Sequence, residues 1–291
     1  MQRTLGDLAL RELDEVLNRI LVALREELKE NLCSVVIIGS ASRPLEYVNG
    51  LSDIDIVAIV MRKPSTIERY KVLEGLSGLR ANVLFLRPND VIEIIKSGYP
   101  LGWWLFHDSI ALYDNGTLDY ILKSSKPVMN DYTMEVLKKS SLAALSVAVE
   151  NYFMGYFIEG VNWLHKSLRY GVQWLLARNG LMPSSDQKMV ESLKDVNAPP
   201  VITTCLQKLI AIRKRGKASN LTFRLLVNAT VRALCLIYDV SYLDWTFVEM
   251  KMREIIADGT LMRISAILDE NKLKWVVWVM KHDLKTRKII G

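Results

Sequence analysis

The chain has 291 residues, half of them hydrophobic and 24% charged, with a formal net charge of +6. Such a composition excludes general disorder, and the length suits two domains better than one. The mild positive excess favours an anionic partner (a nucleotide, a nucleic acid or an acidic protein surface) without choosing among them.

In chain order, residues 3–31 carry Leu5, Leu8, Leu13, Val16, Ile20 and Leu24 at helical spacing, with Arg and Glu on the other face, which predicts one amphipathic helix. The period then changes. Cys33–Ile38 is a short β-branched run stopped by Gly39 and reads as a buried strand. A polar stretch follows, and Asp53–Val60 reads as a second strand in which Asp53 and Asp55 alternate with Ile54 and Ile56. A helix is predicted over 65–77, a third strand over Asn82–Leu86, a short helix over Asp90–Lys96 and a short strand over Ile110–Tyr113. Beyond Lys123–Pro127 the pattern is mostly helical, with helices near 131–157, 159–179, 186–194, 199–213 and 219–238. Asn179-Gly180 is a stop signal there and Pro199-Pro200 a start signal. Residues 245–257 and 272–285 are open, and Trp275–Met280 fits strand or helix equally. The expected fold class is therefore α+β. A small mixed-sheet domain with flanking helices and the N-terminal helix spans 1–125, and an all-α helical-bundle domain spans 126–291.

Cys33, Cys205 and Cys235 lie far apart among aliphatic residues and show no metal spacing, so they read as buried free thiols in a reducing compartment. No signal peptide and no uncharged apolar run of membrane-spanning length is seen. The expectation is a cytoplasmic protein with no membrane partner.

The chemistry concentrates between Gly39 and Asp55. Gly39-Ser40 closes a strand, and a helix after it would offer backbone N–H groups and a hydroxyl to a phosphate. Asp53 and Asp55, at i and i+2 on a strand, point to one face. Together they form an all-oxygen donor set of the kind Mg²⁺ takes with substrate phosphates. Aspartate is depleted in strands, so two inside an Ile/Val run need a reason. The bland alternative is a pair of carboxylates edging a turn, with Ser52 as a cap.

Gly39-Ser40, a spacer and Asp53-Ile54-Asp55 together resemble the nucleotidyltransferase domain of the DNA polymerase beta superfamily, over roughly residues 30–123. Ser42-Arg43 is similar to the Ala-Arg often found after Gly-Ser in small members, with Pro44 in place of the usual Gly. The resemblance implies that Asp53 and Asp55 are catalytic and hold Mg²⁺ or Mn²⁺, that Gly39 and Ser40 bind the nucleotide phosphates, and that Arg43 assists. It implies an enzyme binding an NTP, ATP foremost, and passing a nucleoside monophosphate to a hydroxyl of a small molecule, protein or RNA with release of pyrophosphate. The chain departs from the pattern at Asn82, where the family carries a third carboxylate; Glu68, Asp90 and Glu93 are the candidates to replace it. The departure motivates an alternative, a catalytically weakened nucleotide-binding regulatory or toxin-neutralising partner protein. A nucleic-acid-binding role driven by the basic charge is a third reading, and a homodimer is among the open oligomeric states.

Elsewhere the readings are structural. Tyr152, Phe153, Tyr156, Phe157, Trp163, Tyr170 and Trp174 read as a helix–helix core before a stacking platform. The run Arg213-Lys214-Arg215-Gly216-Lys217 reads as a solvated helix end. His165, near Asn162 and Arg169, lacks the Arg-to-His spacing of a helical nuclease domain.

Overall fold

The computed structural model describes residues 5–43, 47, 52–183, 185–282 and 284–291, with side chains from residue 12 onward. Pro44 and the side chains of Leu5 and Leu8 lie outside these. The chain divides into two compact units, Met1–Thr133 and Met134–Gly291.

The first unit is built on a four-stranded mixed sheet of order β3-β2-β1-β4. Its strands are β1 (Leu32–Ile38), β2 (Ile54–Val60), β3 (Ala81–Leu86) and β4 (Ile110–Asp114). β1 runs antiparallel to β2 and β4, while β2 and β3 are parallel. The parallel pair needs a crossover, supplied by α2 (Thr66–Gly75). Helices cover both faces of the sheet, which is why β1 reads as an unbroken apolar run. On one face α1 (Leu5–Leu28) and α2 bury Ile20, Leu24 and Val72 against Val35, Ile37, Ile54 and Ile56. On the other, α3 (Pro88–Ser97), α4 (Pro100–His107) and α5 (Thr117–Ser124) bury Val91, Ile95, Leu105 and Ile121 against Val36, Val57 and Ile59. Even-numbered positions of β2 thus face α1, and odd-numbered positions face the α3–α5 side, with Asp55 sharing their parity.

The second unit contains α6 (Asp131–Phe153, from its fourth residue), α7 (Phe157–Ala177), α8 (Asp186–Asp195), α9 (Pro200–Arg215), α10 (Asn220–Tyr238) and α11 (Trp245–Ala257). It is not all-α. Residues 260–290 form a three-stranded antiparallel meander, β5 (Thr260–Asp269), β6 (Lys272–Lys281) and β7 (Leu284–Ile290). This corrects the expected all-helical domain and resolves Trp275–Met280 as strand. The ambiguity has a physical source: on β6 both Trp275 and Val276 are buried, so the alternation that marks a strand is lost. The meander joins the helical core through Ile264, Leu273, Trp275 and Val277. Its β5 edge is not left open, since Ser146 and Glu150 of α6 accept from the backbone N–H groups of Ala266 at 2.8 Å and Ile264 at 2.7 Å. α10 is long and apolar enough to span a membrane by length and composition, but half of it is buried and it packs Phe223, Val227 and Leu234 into this core.

The aromatic residues of α6 and α7 mostly pack inward. Tyr152 stacks on Phe223 at 4.9 Å, and its hydroxyl donates to the buried Glu249 at 2.6 Å. Trp174 meets Tyr238 edge-on at 5.1 Å. Tyr156 is exposed. The three cysteines are buried free thiols, and burial pushes Cys205 up to about 11 and Cys235 to about 12.

His165 belongs to a buried polar cluster. Its Nε2 lies 2.9 Å from Asp186 Oδ2, with Arg169 3.8 Å from the other carboxylate oxygen. Burial raises the carboxyl pKa of Asp186, but His165, Arg169 and Arg213 more than offset this and hold it well below the usual range. A depressed folded-state pKa stabilises above the unfolded value and is lost as pH falls, here below about 4. We predict that Asp186→Ala lowers the stability of the second unit by about 3 kcal/mol. The variant should also lose part of the acid sensitivity of the wild type between about pH 4 and pH 2, read from thermal melts across that range.

Candidate nucleotide and metal site

The site gathers at one end of β1 and β2. Antiparallel register sets Ile38 opposite Asp55, so Gly39, the next residue of the chain, emerges beside the Asp55 carboxylate. Gly39 turns the chain with φ +74°, in the left-handed region that favours glycine. A Cβ placed there would stand 3.1 Å from Asp55 Oδ2. Glycine therefore serves twice, in the turn and in leaving room at that oxygen.

The described residues after Gly39 form a single 3₁₀ turn, Gly39–Ser42, rather than the expected helix. Ser42 Oγ donates to the Gly39 carbonyl at 2.8 Å and the Arg43 N–H to the Ser40 carbonyl at 3.0 Å. The turn offers local backbone N–H groups to an anion but no helix macrodipole. Arg43 forms an ion pair with Asp108, the residue capping α4, and only 13% of its side chain is exposed. Its guanidinium anchors the turn to α4.

Asp55 lies on β2, and Asp53, expected to open that strand, stands just before it. The parallel register places Asn82 opposite Asp55, and Asn82 Nδ2 donates to Asp55 Oδ1 at 3.1 Å. One step earlier, Arg80 holds Asp53: its Nε donates to Asp53 Oδ1 at 3.2 Å, and its carbonyl accepts from the Ile54 N–H at 2.7 Å. The acidic pair at the start of β2 thus faces an Arg-x-Asn pair leading into β3, one donor for each carboxylate. Arg80 escaped the sequence reading, although its place two residues before Asn82 puts it on the same face. Tyr47 also belongs here. Burial raises its phenol pKa, with Arg80 opposing and Asp53 adding to the shift.

None of the candidate replacement carboxylates completes a triad. Among the described residues, no group of three or more His, Cys, Asp or Glu side chains is placed to hold a metal ion. Glu68 is committed to Arg62 at 2.7 Å and to the N-cap of α2, which hold its carboxyl down to about 2. Asp90 is likewise held down to about 2 by Arg87 at the start of α3. The donor set of Asp53 and Asp55 suits one Mg²⁺ completed by substrate phosphates; it lacks the charge for a second.

The Gly39 geometry yields a test. We predict that Gly39→Ala costs about 1–2 kcal/mol of stability, from the left-handed backbone alone. It should also weaken nucleotide binding about tenfold by crowding Asp55 Oδ2, an effect of about 1.4 kcal/mol. A thermal melt and an ATP titration read the two effects separately.

No protein-family model and no curated protein matches the chain. Among solved structures it is similar to spectinomycin adenyltransferase AAD(9) from Enterococcus faecialis, crystallised with ATP and spectinomycin, at 15% identity and TM-score 0.48 over 75% of this chain and 99% of that one. It is also similar to a nucleotidyltransferase-like protein from Exiguobacterium sibiricum, at 10% identity and TM-score 0.35 over 82% of this chain and 80% of that one. At these identities and scores neither likeness carries a functional argument; that rests on the placement of Gly39, Asp53, Asp55 and Asn82.

Proposed function

We propose that the first unit binds a nucleoside triphosphate with one divalent cation and transfers its nucleoside monophosphate to a hydroxyl acceptor. The observation that carries this reading is the convergence of the Gly39 turn on the Asp55 carboxylate, with Asp53 two residues earlier, just before β2. Asp53 and Asp55 would hold Mg²⁺ or Mn²⁺, which when bound would neutralise charge developing on the phosphoryl oxygens. Gly39 and Ser40 would receive the β- and γ-phosphates on the 3₁₀ turn. Arg43 fixes that turn through Asp108, and Arg80 orients Asp53. In the transfer the acceptor oxygen bonds to the α-phosphorus, the bond from that phosphorus to the bridging oxygen breaks, and pyrophosphate leaves. An amide such as Asn82 does not accept the acceptor's proton at neutral pH, so that proton passes to solvent or to the departing pyrophosphate. ATP as the nucleotide, a small molecule, protein or RNA as the acceptor, and a cytoplasmic setting belong to the same proposal.

The Asn82–Asp55 hydrogen bond favours a second reading, in which the site binds nucleotide with little turnover and serves a regulatory or toxin-neutralising role. Calorimetric titration of ATP, GTP, CTP and UTP with Mg²⁺ tests the binding shared by both. It should show at least one NTP bound by the wild type, and none bound in a Mg²⁺-dependent way by the Asp53→Asn, Asp55→Asn double variant. Equal binding by the two proteins would sink both readings. Pyrophosphate release against small-molecule, tRNA and protein panels then separates them: turnover that vanishes in Asp55→Ala identifies the transferase.

A further inference from the structure

The C-terminal meander of the second unit carries a cationic face. Residues 260–291 carry seven Lys and Arg against three Asp and Glu, a net +4 of the chain's +6. Strand alternation sorts these residues. Leu273, Trp275, Val277 and Val279 of β6 point into the core, so Lys274, Trp278 and Met280 stand on the other face, together with Val276, which its neighbours bury. Register completes the face: Trp278 is flanked by Arg263 of β5 on one side and Arg287 of β7 on the other. Arg287 lies over the Trp278 ring at 5.5 Å and Lys285 at 4.7 Å. Arg263, Lys285, Arg287 and Ile289 are exposed, and Trp278 is half-buried. Across β7 the described residues Leu284–Ile290 include three cations and no carboxylate.

We propose that this face, centred on Trp278, binds single-stranded nucleic acid. Guanidinium groups on both flanking strands meet phosphates in the bidentate geometry that Arg favours. The indole supplies a π-face on which an unstacked base would replace Lys285 and Arg287, freeing both cations for phosphates; stacking on an aromatic ring amid cations is how proteins hold single strands without reading sequence. A duplex keeps its bases in the stack, so the indole argues for the single strand. The exposed Arg263, Lys285 and Arg287 around Trp278 supply the charge complementarity. The face lies in the second unit and the proposal stands apart from the nucleotide reading, so either can fail alone.

The test is fluorescence anisotropy on the full chain, with labelled oligouridylate and oligothymidylate of about 12 nucleotides at about 50 and 200 mM salt. The wild type should bind one or both, more weakly at high salt; preference for the uridylate identifies RNA, and equal binding identifies single strands in general. Arg263→Glu with Arg287→Glu should weaken binding at least about tenfold and reduce the salt slope by about 1.4, close to 0.7 for each cation removed. Trp278→Leu should weaken binding about fivefold or more with the salt slope unchanged, the loss expected for one stacked base. Thermal melts establish that each variant is folded, and unchanged ATP binding in the first unit serves as the internal control. The idea is overturned if the folded wild type does not bind, if the charge-reversed variant binds like the wild type, or if the face instead takes phosphatidylserine vesicles in preference to either oligonucleotide.

Discussion

Asp55→Asn is expected to weaken Mg²⁺-dependent NTP binding by about 100-fold or more while leaving the fold intact. The substitution is isosteric, and a side-chain carbonyl at this position still accepts from Asn82 Nδ2, so the β2–β3 register keeps its hydrogen bond. What disappears is the charge on the carboxylate that faces the Gly39 turn. A cation placed against phosphate oxygens is worth several kcal/mol, and each 1.36 kcal/mol is a factor of ten. Asp53→Asn should cost less, about tenfold, because Asp53 precedes the strand and already shares its charge with Arg80 at 3.2 Å. Titrations of ATP with Mg²⁺ and with EDTA, run beside thermal melts, read the difference. If Asp55→Asn binds Mg²⁺·ATP as the wild type does, the assignment of Asp55 as a metal ligand is wrong.

Local chemistry made much of the first unit legible. β1 and β2 announce themselves because both of their faces are covered and their residues are mostly β-branched, while β3 shows as a short apolar run stopped by Arg87-Pro88. The Asp53–Asp55 pair was visible because it breaks that apolar pattern. The 3₁₀ turn after Gly39 was not, since the residues that follow decide whether a turn continues into helix. α4 escaped notice for a tertiary reason. Gly102 interrupts its helical signal, and it is glycine because a Cβ there would lie 2.7 Å from Ile95 Cα of the neighbouring α3. The meander was hidden by its own packing, which buries successive residues of β6 and takes backbone partners for β5 from α6. Arg80 was hidden because its meaning depends on register: only the pairing of β2 with β3 shows that each aspartate meets its own donor. Pairings of this kind are properties of two segments, and neither segment contains them alone.

The same register makes Asn82 the position at which binding and turnover can be separated. Asn82→Asp would remove the donor to Asp55 Oδ1 and set one carboxylate against another on adjacent strands. Like charges directly opposite destabilise a sheet, and two carboxyl groups this close do not both ionise easily, so one folded-state pKa must rise. A raised carboxyl pKa stabilises below the unfolded value and is lost as pH rises through the folded one. The metal-free variant should therefore melt like the wild type near pH 4, and about 1 kcal/mol less stably at neutral pH. Added Mg²⁺ should restore that loss, since a cation between the carboxylates removes the repulsion, whereas the wild type should respond less. The substitution also puts a proton acceptor beside Asp55. General-base assistance is worth about a hundredfold or more, so release of pyrophosphate from Mg²⁺·ATP, with water as the acceptor, should rise by about that factor. A gain in turnover with the Mg²⁺-dependent recovery of stability would mean that Asn82 restrains a competent site. Recovery without turnover would mean that the acceptor side of the site has been lost as well, leaving a nucleotide-binding module. No change in metal-free stability at neutral pH would show that residue 82 does not face Asp55, and the reading of β3 would fall with it.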